Sequence, residues 1–154
     1  MPISWTNDLD TGIEVIDRQH RKIVDYINQL ERASQQHDRA IVGRVLAELV
    51  DYTLSHFAFE ESLQNQAGFK FAKVHKSLHD MFARDVADYQ ARHQAGEDVA
   101  AQISDMLGHW LLSHIKREDQ KFVADVETQA AFRHAVADET AGSWLDRTLK
   151  TFFK

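Results

Sequence analysis

FAKVHKSLHDMF, residues 71–82, places Phe71, His75, Leu78, His79 and Phe82 on one face if the segment is helical. A face of that composition belongs in a core. Two of its members are histidines one turn apart, and a polar side chain taken out of water needs a partner. The question this stretch raises is what partner two core histidines would share.

Three further segments carry the same periodicity. Ile16, His20, Ile23, Ile27 and Leu30 form the first stripe; Val42, Val45, Leu49, Tyr52, His56, Glu60 and Leu63 form the second. The stretch quoted above extends through Val86 and Tyr89 as the third, and Val99, Ile103, Leu107, Trp110, Leu111, His114 and Phe122 make the fourth. The joints near Gln36–Arg39, Gly68 and Gly96 are short, so consecutive helices are antiparallel neighbours. One proline and six glycines are a poor supply of turns for a β protein. The expected fold is all-α, an up-down-up-down antiparallel four-helix bundle.

Two outer pieces flank it. Residues 1 to 15 read as an N-terminal arm laid across the bundle, anchored by Trp5 and Ile13. Near the other end, SWLDRTLKTFF sets Trp144, Leu145, Leu149, Phe152 and Phe153 against Asp146, Arg147, Lys150 and Lys154, with Ser143 at an N-cap position. We expect a short fifth helix there. The chain divides into a bundle, 1–126, and a C-terminal extension, 127–154, packed on the bundle; a protein partner or self-association through the fifth helix stays open.

Composition narrows the class. The 154 residues suit one domain, and the net charge of −6 without a basic run argues against a nucleic-acid binder. No cysteine is present, which removes thiolate chemistry. MPISWTNDLDTGIEVID at the N-terminus has no signal-peptide pattern. No apolar run approaches the roughly 20 residues of a membrane span, and the last segment is too short for stable membrane anchoring. The expectation is a cytoplasmic protein.

Each stripe carries at least one histidine: His20, His56, His75 with His79, and His114. One such histidine is ordinarily a core residue bonded to a neighbour. Five spread over four helices would need five separate partners, whereas a metal is one partner that all can share. Glu60 lies one turn beyond His56, and a carboxylate in an apolar stripe must be paired or ligate metal. In HIKREDQKF, Glu118 is four residues after His114 and shares its face, while Asp119 is five after and about 140° away in a regular helix. Periodicity favours Glu118. The remaining histidines, His37, His93, His109 and His134, read as surface residues, Glu61 and Glu118 as a solvated face, and Phe57 and Phe59 as plain core. The segment His-Lys-Ser-Leu-His lacks the glutamate of a His-Glu-x-x-His zinc protease.

The set His20, His56-x-x-x-Glu60, His75-x-x-x-His79 and His114-x-x-x-x-Asp119 resembles the hemerythrins, in particular the bacterial ones, as do WLLSHI and GIEVIDRQH. The resemblance covers residues from about 3 to 125 and implies that Asp119, not Glu118, is the ligand; a local widening of the helix would turn it inward. It implies two iron ions. His75, His79 and His114 would hold one, His20 and His56 the other, with Glu60, Asp119 and an oxo or hydroxo group bridging them. Three histidines and three bridges fill one iron; two histidines and three bridges leave a position on the other, where dioxygen would be held as hydroperoxide. Trp110, Leu111 and Ile115 match family positions around that pocket. No Glu-x-x-His pair of the ferritin-like class occurs. The implied function is reversible dioxygen binding for storage, delivery or sensing, without a catalytic residue. The alternatives are an enzyme reducing nitric oxide or peroxide at the same centre, and an iron-handling protein.

Overall fold

A computed structural model describes residues 2–128, 132–134 and 136–137. Among them every long element is a helix, and no strand occurs. Helices α1 (Glu14–Gln35), α2 (Arg39–Ala67), α3 (Ala72–Gln94) and α4 (Ala100–His114) form the expected bundle. A single π turn (Ile115–Asp119) follows α4 and leads into α5 (Gln120–Val126). His114, Ile115, Asp119 and Gln120 all keep right-handed helical angles, so α4, the π turn and α5 form one continuous rod. Helix α1 packs between α2 and α4; α2 also flanks α3, and α3 meets α4 only sparingly.

Local chemistry sets the ends. Asp38 caps α2 by accepting the Ile41 N–H at 3.1 Å. Gly68 closes α2 in the left-handed region at φ +65°, where a Cβ would be strained. Asp17 is buried in the first turn of α1, and its carboxylate accepts the backbone N–H groups of Thr11 at 2.8 Å and Gly12 at 3.1 Å. That clamp fixes the arm where it enters α1. Farther out, Ile3 and the Asn28 side chain exchange two hydrogen bonds, at 2.8 and 2.9 Å. A Cβ on Gly108 would lie 3.1 Å from Ile3 Cδ1, so the bare glycine is what admits the arm against α4. Trp5 and Ile13 are half-buried, and both pack on the apolar clusters as expected of anchors.

The core falls into two apolar clusters. One contains Ile23, Ile27, Leu49, Phe57, Phe82, Leu111 and Ile115; the other contains Ile16, Phe59, Leu63, Phe69, Phe122 and Val126. Most of the proposed ligand positions lie where one cluster gives way to the other along the chain: His20 between Ile16 and Ile23, Glu60 between Phe57 and Leu63, His75 and His79 between Phe69 and Phe82, Asp119 between Ile115 and Phe122. The polar site is thus a layer across the bundle with apolar packing on both sides.

Three expectations need correction. Phe71 is 40% exposed and Leu78 half-buried, because among the described residues the sparse meeting of α3 with α4 leaves that flank of α3 open. His93 is buried: its ring lies over Gly43, where a Cβ would come within 3.2 Å of Nε2. Glu61 and Glu118 are half-buried, not on a solvated face, for reasons given below. His37, His109 and His134 are exposed. Phe132, in the extension, packs edge-on against Phe122 with ring centroids 5.7 Å apart, and Val136 packs on the same cluster. The expected fifth helix from Ser143 lies outside the described residues.

Candidate metal centre

Seven side chains meet in the polar layer. Glu60, His75, His79, His114 and Asp119 form one group and His20, His56, Glu60 and Asp119 a second, with the facing atoms of each group within 4.8 Å of one another; all seven residues are buried. The two carboxylates belong to both groups, and they divide their oxygens between them. Glu60 Oε1 lies 3.3 Å from His20 Nε2 and 3.0 Å from His56 Nε2. Glu60 Oε2 lies 3.4 Å from His75 Nε2 and 3.5 Å from His79 Nε2. Asp119 does the same, Oδ2 standing 3.0 Å from His20 and Oδ1 3.0 and 3.2 Å from His75 and His114.

The π turn is what brings Asp119 in. Five residues on from His114, it would point away from the layer in a regular helix; the wider turn places it fully buried opposite His114. Glu118, the choice of simple periodicity, instead lies beside the back of the His114 ring, Oε2 3.4 Å from Nδ1.

The contacts behind the rings decide which nitrogens face inward. His56 Nδ1 lies 2.7 Å from Gln19 Oε1, His79 Nδ1 3.3 Å from Glu61 Oε1, and His114 Nδ1 faces Glu118. Oxygen acceptors at Nδ1 hold the N–H there, so the neutral ring offers a lone pair at Nε2. Gln19, Glu61 and Glu118 are the functional positions that the sequence reading missed or misplaced. The available signals were faint: Gln19 and Glu61 adjoin ligand candidates in sequence, and Glu118 stands four residues from one.

Inside, these groups are close without satisfying one another. His114 Nε2 lies 3.1 Å from His75 Nε2 and 3.0 Å from His79 Nε2. With their N–H groups held at Nδ1 by Glu61 and Glu118, the neutral His79 and His114 rings bring two Nε2 lone pairs together, and these repel. Ligands about 2.1 Å from one ion and at right angles to each other stand about 3 Å apart. Among the described residues, His20 Nε2, His56 Nε2 and all four oxygens of Glu60 and Asp119 form no hydrogen bond despite these short distances. Atoms that are near enough but misdirected toward each other are aimed at common points between them. The donor set therefore fits metal on an observation of this structure.

Electrostatics agree. Burial alone would lower the His20 imidazole, but the adjoining Asp119 and Glu60 carboxylates outweigh it and raise it to about 9. The same balance raises His75 to about 10 and His114 to about 9. For His56 burial wins and the shift is downward. Burial pushes the Glu60 and Asp119 carboxyls up, yet the surrounding histidines hold both well below the ordinary range. Two fully buried carboxylates thus create a field that demands positive charge, from protons or from metal.

Aromatic rings brace the layer. Phe57 stacks on His79 at 3.8 Å between centroids and 7° between planes, so it is more than plain core. Trp110 stacks on His114 at 4.4 Å and on Phe82 at 3.9 Å. Leu111 and Ile115 are buried in the larger apolar cluster, and Phe59 in the smaller.

This geometry has relatives. Residues 11–126 match the family model described as hemerythrin HHE cation binding domain. The chain belongs to the hemerythrin family. It is 46% identical over 149 residues to a bacteriohemerythrin of Pseudomonas aeruginosa, spanning 97% of this chain and 96% of that one. A bacteriohemerythrin of Methylococcus capsulatus is 30% identical over 122 residues, 78% of this chain and 93% of its own. A solved structure of wild-type hemerythrin superimposes with a TM-score of 0.76 at 29% identity, covering 79% of this chain and 95% of that chain. The hemerythrin fold and a buried His/Glu/Asp cluster able to hold metal are therefore features of this chain. Among the described residues, no helix is long and apolar enough to cross a membrane.

Proposed function

We propose that the protein binds dioxygen reversibly at a pair of iron ions. His75, His79 and His114 hold one ion, His20 and His56 the other, and Glu60 and Asp119 bridge them. One observation supports this above the rest: each shared carboxylate turns one oxygen toward members of the set His75, His79 and His114, and the other toward the set His20 and His56. The donor counts are unequal, so the two-histidine ion has one fewer protein ligand, and an open position is what makes a metal site reactive. When bound, the iron pair supplies the redox electrons for reversible oxygen uptake. The chain's own part is to orient the imidazoles through Gln19, Glu61 and Glu118, and to keep water out with the apolar packing on both sides. Leu111 and Ile115 belong to that packing, and Trp110 closes the face of His114; we assign these three to the wall of the oxygen pocket. We assign no protein acid or base to the chemistry, and read the role as storage, delivery or sensing of dioxygen.

The test is metal analysis and optical spectroscopy on freshly purified protein. Two irons per chain are expected, with a nearly colourless anaerobic reduced form that gains charge-transfer bands in oxygen and loses them on degassing. Steady oxygen consumption with a reductant would favour the nitric oxide or peroxide alternative. Rapid iron loss to a mild chelator would favour iron handling.

A further inference from the structure

We propose that the open flank of α3 is the docking surface for a small acidic redox protein that delivers electrons to the centre through His75. Phe71, Val74, Leu78 and Met81 follow one another at steps of three, four and three along α3, and Phe71, Val74 and Met81 are 40, 60 and 54% exposed. That row is an apolar stripe on a side of the helix that no other element covers among the described residues. Between it and the π turn runs a groove of about 200 Å³ lined by Phe69, Phe71, Val74, His75 and Leu78 and, across it, by Arg117, Glu118 and Lys121. His75 belongs to both places: its Nε2 faces Asp119 and Glu60 inside, and its other edge lines the groove. The proposed centre is separated from the groove by this one buried ring.

The rim is basic although the chain is acidic. KFAKVHK, residues 70–76, contains three lysines and no acid. Across the groove, KREDQK, residues 116–121, contributes Arg117 and Lys121; Asp119 turns into the layer, and Glu118, which also lines the groove, reaches toward His114. Lys70 and Lys121 bracket the exposed Phe71 ring, their ammonium groups 5.0 and 5.4 Å from its centroid. Lys70, Lys73 and Arg117 have no carboxylate partner among the described residues. Opposite potentials steer encounter and fix orientation, so a basic ring around an apolar patch selects an acidic partner with a small apolar contact. The chain's own end is the wrong charge: residues 143–154 carry three basic side chains and one acidic one. A second copy would set basic rim against basic rim. The groove is concave and receives a protruding side chain, whereas a bilayer presents a flat surface.

A carrier whose metal has been oxidised needs an electron donor, and that need is what the oxygen-binding reading lends to this surface. The partner's reduced cofactor gives up one electron per encounter, and no atom changes hands. Electron-transfer encounters use small, weak interfaces, which suits a patch of this size.

The experiment is a titration of isotope-labelled full-length, metal-loaded protein with a plant-type [2Fe–2S] ferredoxin, an acidic one-electron carrier, followed by amide chemical shifts at low and high salt. Shifts are expected at Lys70–Met81 and Arg117–Lys121, with affinity falling about tenfold or more from 20 to 200 mM salt. The double variant Lys73→Glu/Arg117→Glu should lose at least tenfold in affinity. The control Lys22→Glu/Arg44→Glu makes the same change in net charge on exposed positions of α1 and α2 and should lose less than twofold. No binding, shifts centred on another face, or equal losses in both double variants would overturn the proposal. So would occupation of the α3 flank by a second copy, read as a dimer in sedimentation, or by phosphatidylglycerol vesicles in place of ferredoxin. Metal content and oxygen-dependent bands on the same sample show separately whether the oxygen-binding reading stands.

Discussion

Nδ1 of His79 stands 3.3 Å from Oε1 of Glu61, and the same ring turns Nε2 to within 3.0 Å of His114 Nε2. One half-buried carboxylate behind the ring thus determines which nitrogen the centre sees. Glu118 does the same for His114, and Gln19 for His56.

Removing these supports should loosen the metal without removing a ligand. Glu61→Ala and Glu118→Ala should each lower metal affinity by about 10- to 100-fold, with Glu61→Gln losing less because its amide oxygen still accepts the N–H. Equilibrium competition against a chelator measures this. Affinities equal to the parent's would show that the contacts behind the rings are incidental.

Asp119 and Glu118 are neighbours with opposite expected consequences. Asp119→Ala removes an acceptor common to both groups and should bring metal content well below two ions per chain. Glu118→Ala should still load both ions under saturating metal. Elemental analysis of the two variants distinguishes a bridge from a support, and the reverse pattern would reinstate the choice made by simple periodicity.

The metal-free protein should lose stability as the solution is made alkaline. His20, His75 and His114 stand at about 9, 10 and 9 in the fold against an ordinary 6.5. Their contribution is complete below pH 6.5 and is lost as pH rises through 9 to 10. Glu60 and Asp119 are held low, so theirs is complete above the ordinary carboxyl range and is lost only in acid. His56, held down by burial, works weakly against the fold below pH 6.5. Denaturant unfolding of chelated protein at pH 6.5, 8 and 10 should therefore give falling midpoints. A flat or rising series would mean that the seven groups do not keep this arrangement without metal.

Phe122 links the layer to the extension. It is fully buried, with its ring 6.2 Å from His75, 5.2 Å from Phe69 and 5.7 Å from Phe132. Phe122→Ala should cost about 3–5 kcal/mol. Urea unfolding of the metal-loaded protein reads the loss directly. A much smaller value would indicate that the extension and α5 refill the space.

The bundle was legible because four apolar stripes of period 3.6 are joined by segments too short for anything but antiparallel neighbours. His20, His56, Glu60, His75, His79 and His114 were legible for the same reason, since each sits in register with its stripe. Asp119 was not, because helical arithmetic assumes a regular turn and nothing local in Ile115–Asp119 announces a π turn; only the family pattern pointed to it. His93 was misjudged because its burial depends on a glycine fifty residues away, a pairing that periodicity along one helix cannot register. Glu61 and Glu118 look like surface acids one helix at a time and acquire their role only beside a histidine ring. Phe71 and Leu78 were misread as core because a stripe records apolar character but not whether a neighbour arrives to cover it.

A π turn is a regular helix with one residue added. Taking one residue out between His114 and Asp119 would leave the carboxylate four places after the histidine, the relation that His56 and Glu60 already have, and Phe122, Val123 and Val126 would still point inward. The added residue is therefore unnecessary for aim. The two shared carboxylates ride on unlike backbones, Glu60 on a regular helix and Asp119 on a wider turn, and a change in separation between two bound ions should be taken up unequally by them.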